Sequence, residues 1–199
     1  AVKESALATG TSPDASGRIL DGTFSMGPGA NLSSFSLGGS GDITLAQLQA
    51  SATTPITITG SNGTLQINGY DSASGAVQYR YTLLSTAAHT VALVTDSFIL
   101  SLTDIDGDFI FNAGTLAVQI IDDAPLARAD VDDVINIDSQ PSSIASGNVF
   151  TGVGGVDPDA SDGVADVIGA DGLGAGNAIA SVGLAANSLS AGNLGAPLA

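Results

Sequence analysis

The chain has 199 residues, with 20 acidic side chains against four Lys or Arg and one His, a formal net charge of -16, yet 44% of it is hydrophobic. An acidic disordered tail is excluded, because such tails combine high net charge with few apolar residues, and repulsion weighs against nucleic acid and anionic membrane surfaces as partners. Without cysteine there is no disulfide scaffold and no thiolate chemistry. No apolar run reaches the length of a membrane span, and residues 1–20 lack the basic-then-apolar pattern of a signal peptide.

Along the chain, residues 1–15 read as a linker or the end of a preceding repeat. Strands are predicted over Arg18–Ser25 and Asn31–Leu37, a short helical turn within Asp42–Gln49, and another strand over Pro55–Thr59. Strict alternation follows at Leu65 and Ile67, at Val77, Tyr79, Tyr81 and Leu83, at Phe98, Leu100 and Leu102, and at Leu116, Val118 and Ile120. About seven short strands in roughly 100 residues without strong helices is the pattern of an antiparallel, immunoglobulin-like β-sandwich; a barrel is the competing closure. The all-β unit is therefore placed at residues 16–123. Asp122-Asp-Ala-Pro125 opens a linker, 124–128, because proline fixes its own φ and extends the residue before it. Beyond it, 129–199 reads as a partial second unit, with strands at Ala129–Ile137, Ser146–Val153 and Ala178–Leu184, too few to close a sandwich.

Carboxylates cluster in the turns. Asp104-Ile-Asp-Gly-Asp108 joins two alternating runs, and three carboxylates within five residues repel one another unless a hard cation such as Ca2+ neutralises them. It is not an EF-hand: its glycine is fourth rather than sixth, and Thr115 stands where a bidentate Glu is needed. A polar hairpin tip is the alternative. Asp157, Asp159 and Asp162 form a second acidic loop, with Ile168 at the Glu position, and a solvated loop competes there as well. Gly38-Gly-Ser-Gly-Asp42 reads as a turn before a strand. His89, the sole histidine, has no cysteine partners for zinc and reads as a surface loop residue. It also lacks a nucleophile-elbow pattern nearby, so no catalytic residues are expected. Tyr70, Tyr79 and Tyr81 could line a sugar-binding face, but alternation around Tyr79 and Tyr81 favours core packing.

In order, Gly63–Leu83, Asp96-Ser-Phe98, Thr103-Asp-Ile-Asp-Gly-Asp108 and Ile120-Ile-Asp-Asp-Ala-Pro125 resemble the long tandem repeat of type-I-secreted RTX adhesins and biofilm-associated surface proteins of Gram-negative bacteria. Leu45-Ala-Gln-Leu48, Thr53-Thr-Pro-Ile56, Ser146–Gly152 and Gly169-Ala-Asp-Gly172 fit the same repeat, and the resemblance spans residues 16–185. It implies a cadherin-like or immunoglobulin-like, calcium-binding extender module in a surface fibre, exported without an N-terminal signal and folded outside the cell. If such domains run head to tail, the Asp104–Asp108 loop lies at the end facing the preceding repeat and Asp122 and Asp123 at the other. Calcium held by Asp122, Asp123, Asp130 and the Asp157–Asp166 loop would then join neighbouring repeats of the chain into one rod. Two other functions stay open: a glycan-binding sandwich, and a self-assembling filament subunit whose second unit is completed by strand addition from a partner chain, another copy or not.

Overall fold

The computed structural model describes residues 1–27, 31–90, 93–128 and 165–173, together with the backbone of 181–184 and 187–190. The order of elements is β1 (Val2–Lys3), a 3-10 turn at Glu4–Ala6, β2 (Ile19–Ser25), β3 (Leu32–Leu37), β4 (Ile43–Thr44), α1 (Leu45–Gln49), β5 (Ile56–Thr59), β6 (Gly63–Asp71), β7 (Ala76–Leu83), β8 (Val94–Asp104) and β9 (Phe109–Ile121). Two further strands, β10 (Ser181–Leu184) and β11 (Asn187–Ser190), form an antiparallel pair. Strands β1 to β9 make two sheets, ordered β1-β9-β8-β3-β4 and β2-β7-β6-β5. Chain order is divided between them as in an immunoglobulin-like sandwich, the second strand lying with the strands before the final hairpin and the third with that hairpin. The protein is an all-β, antiparallel sandwich; among the described residues the one parallel pairing is β1 on β9, with Val2 opposite Ile120 and Lys3 opposite Ile121.

The period-two pattern sets the faces. Val77, Tyr79, Tyr81 and Leu83 are buried while Gln78 and Arg80 between them are exposed, and Leu65 and Ile67 continue the same apolar layer on β6. Phe35, Leu37, Phe98, Leu100, Val118 and Ile120 face them from the other sheet. Tyr81 and Phe98 meet edge to face across the layers, with ring centroids 6.2 Å apart; burying either side chain contributes about 1.5–3 kcal/mol. The expected helical turn is α1, started by a capping box in which the Gln47 amide donates to Thr44 Oγ1 and the Thr44 amide to Gln47 Oε1. Its Leu48 is fully buried against the core. The glycine-rich segment after β3 is a turn: Gly38 has φ +59°, and a Cβ there would lie 2.5 Å from the Phe98 ring.

Expectation and structure differ at the N-terminus. Residues 1–15 are not merely a linker, since β1 lies on the sheet and Val2 and Leu7 belong to the core. Of the second unit, Ala129–Ile137 and Ser146–Val153 fall outside the described residues. Of the strand expected over Ala178–Leu184, the described part is β10, and β11 follows it.

The two ends of the sandwich carry different chemistry. One holds the β8–β9 hairpin, residues 104–109. At the other, the register of Val94 with Ile120, Gly63 with Leu83 and Val2 with Ile120 gathers the β7–β8 connection, the β5–β6 turn, the 3-10 turn and the exit from β9.

Candidate functional site

At the hairpin end, Asp104 Oδ1 accepts from the amides of Asp106 and Asp108, each at 2.9 Å, and Gly107 takes φ +89° to complete the turn. One expected ligand is therefore engaged in closing its own loop. Asp106 and Asp108 are exposed, and the three carboxylates do not converge on a common point. The reason is local: two amides within four residues reach Asp104 and satisfy it without an ion.

At the opposite end, the two adjacent acids divide, because consecutive residues of an extended chain face opposite ways. Asp123 is 9% exposed and accepts from Thr11 N, Thr11 Oγ1 and, at 2.9 Å, Ala170 N. Burial pushes its carboxyl upward, but the bonds from Thr11 and Ala170 outweigh that and hold it below the usual carboxylate range. Gly169, with φ +93°, lets the backbone approach, as a Cβ there would sit 3.3 Å from Asp123 Oδ2. Next to this contact, Leu126 and Val167 exchange two backbone hydrogen bonds, and Arg128 N donates to Asp166 Oδ1 at 2.7 Å. Residues 165–170 thus dock on the stretch that leaves β9.

Asp122 faces the other way. Its side chain, 55% exposed, lies 3.9 Å from His89 Nε2, which is 3.2 Å from Oε1 of a fully buried Glu4. His89 is not the surface residue expected of it: its side chain is only 15% exposed, packed against Glu4 by the β7–β8 connection. Glu4 Oε1 also accepts from Ala87 N at 2.6 Å. Of the remaining expected ligands, Asp130, Asp157, Asp159 and Asp162 fall outside the described residues.

A further buried acid escaped notice. Asp96, 1% exposed, accepts from Ser61 N and Asn62 N at 3.0 Å and from Tyr81 Oη at 2.8 Å, and so fixes the β5–β6 turn to the start of β8. Its signal was present: Asp96 stands two residues before Phe98 and four before Leu100, on the inward face, where a carboxylate must be hydrogen-bonded.

No family model, curated protein or solved structure matches this chain. The functional reading therefore rests on the residues themselves. Among the described residues, His89 has carboxylates beside it and no Ser or Thr hydroxyl among its partners. Among those residues, too, no helix is long and apolar enough to cross a membrane.

Proposed function

We propose that the protein is a calcium-stabilised extender module of a bacterial cell-surface adhesin or surface fibre, acting outside the cell by giving reach and stiffness rather than by catalysis. The observation that carries this reading is Asp123. One carboxylate bonds Thr11 of the sandwich and Ala170 of the segment that follows the linker. A single buried group thereby couples a folded unit to the chain beyond it, as a stiff joint between successive modules requires. For Ca2+ the hairpin end offers the Asp106 and Asp108 carboxylates, which take no part in the turn that Asp104 closes and would have to draw together around the ion.

Calcium titration followed by melting temperature and small-angle scattering tests the proposal. Binding to the folded state alone adds about 2.7 kcal/mol at a hundredfold excess over Kd, so the melting temperature should rise with calcium and less with magnesium. Identical melting curves in chelator and in calcium would reject the calcium part. A scattering profile showing residues 165–173 undocked would reject the joint.

One observation favours self-association as a second reading. Ile105, Phe109, Ile110 and Phe111 are all more than half exposed at the hairpin end, and exposed large apolar side chains gathered at one end favour association. Concentration-dependent sedimentation tests it. For the glycan-binding reading, Tyr79 and Tyr81 are in the core and only Tyr70, half-buried, is left.

A further inference from the structure

Beyond the calcium reading, the end of the sandwich opposite the hairpin holds a second cluster of different chemistry. Parallel pairing sets Lys3 opposite Ile121, so the next residue of each strand, Glu4 and Asp122, is brought to the same place. The β7–β8 connection supplies His89 between them. Among the described residues this is the one group of three acidic or histidine side chains whose ligand atoms all lie within 4.8 Å of one another. From it we infer that Glu4, His89 and Asp122 bind a divalent cation of the zinc class, which pins the N-terminal strand and the β7–β8 connection to the end of β9.

Two orphaned atoms carry the inference. Glu4 is fully buried, yet its Oε2 has no hydrogen-bond partner, and buried His89 Nε2 has none either. Leaving a buried carboxylate oxygen unsatisfied forfeits its hydration with nothing in return, so such atoms are normally paired. A simple ion pair does not resolve the pattern. Although Glu4 Oε1 is 3.2 Å from Nε2, it lies off the axis along which the ring nitrogen donates, so the contact is not a hydrogen bond. Two donors sharing one cation look like this: with metal–ligand lengths near 2.1 Å at a tetrahedral angle they stand about 3.4 Å apart.

Asp122, half-exposed and 3.9 Å from the imidazole, needs only a small side-chain movement to close the third position, leaving the fourth to water. The donor set selects the metal. An imidazole nitrogen with two carboxylates suits zinc and its neighbours, whereas calcium takes six to eight oxygens.

The test uses the tag-free chain stripped of metal by chelation, with zinc chloride as the probe and calcium in excess. Calorimetry should give one zinc per chain. Because His89 is the only histidine, its imidazole 15N resonances report directly and should shift with stoichiometric zinc. Glu4→Gln perturbs a buried group and is avoided; His89→Asn and Asp122→Asn alter partly exposed side chains, and each should weaken zinc binding roughly tenfold or more. Unmoved His89 resonances, or zinc affinity unchanged in both variants, would overturn the proposal. So would displacement of zinc by calcium at comparable concentration, which would make the site one for a hard oxygen-seeking cation.

Discussion

Replacing Asp123 with alanine separates the two halves of the joint it makes. The substitution deletes two bonds to Thr11 and one to Ala170. A hydrogen bond to a charged acceptor contributes about 1.5–3 kcal/mol, and Thr11 is half-buried, so water replaces part of what is lost and the low end applies. Two such bonds give a loss of about 3 kcal/mol for the sandwich, read as a lower urea midpoint with an unchanged slope. The third bond affects only local docking: losing about 1.5 kcal/mol there raises the open population roughly tenfold. Hydrogen exchange at the Leu126 and Val167 amides, which bond to each other's carbonyls, should accelerate by that factor. Thr11→Val removes the hydroxyl alone and should leave these amides unchanged while costing the sandwich about half as much.

The pH dependence has a definite sign. The carboxyl is depressed in the folded state, so its contribution is complete above the unfolded value of about 3.9 and is lost as pH falls through the folded one. The gap between wild type and Asp123→Ala should be constant near neutrality and shrink below about pH 4. Unaltered exchange at Val167 in Asp123→Ala would refute the claim that this carboxylate holds the following segment.

Three other outcomes are expected. Asp96→Ala leaves the buried Tyr81 hydroxyl and two turn amides without their acceptor and should cost about 3–5 kcal/mol in urea unfolding, whereas Tyr81→Phe, which removes one bond, should cost about 1. In chelator, Asp104→Ala should lower stability by about 1 kcal/mol through loss of the turn closure, while Asp106→Asn with Asp108→Asn should leave it unchanged; in calcium the latter pair should lower the number of ions bound, measured by calorimetry. Leu48→Ala should cost about 2–5 kcal/mol by emptying the site beneath α1, with the melting temperature as readout.

The strands were legible because alternation is a local property: Val77 to Leu83 and Phe98 to Leu102 write their inward face directly into the sequence. Thr44 and Gln47 likewise announce α1 three residues apart. The carboxylates were legible as clusters but not as ligands. Whether Asp104 is free for an ion depends on which amides reach it, and Asp122 and Asp123 differ only in the side of the chain they occupy. Glu4 and His89 were hidden more deeply. Val2-Lys3-Glu4 is too short to show a period, and its place beside Ile121 is fixed by a pairing across more than a hundred residues. A lone histidine likewise carries no mark of a buried acid 85 positions away.

The direction of β1 sets how the sandwich meets a pulling force. Running parallel to β9, it points from the hairpin side, while the chain beyond Ile121 leaves at the other end. Tension between the start of β1 and that exit drags β1 and β9 past each other along their length, so the interstrand bonds are loaded together in shear instead of being peeled one at a time. Only two residues of β1 are paired, which makes this short ladder the first element to yield. Once it slips, Val2 leaves the core and Glu4 is drawn away from His89, while β2 to β9 retain their own pairings. Extension would then begin with release of the residues ahead of Thr11, which Asp123 still holds, a small and reversible lengthening that precedes rupture of the sandwich.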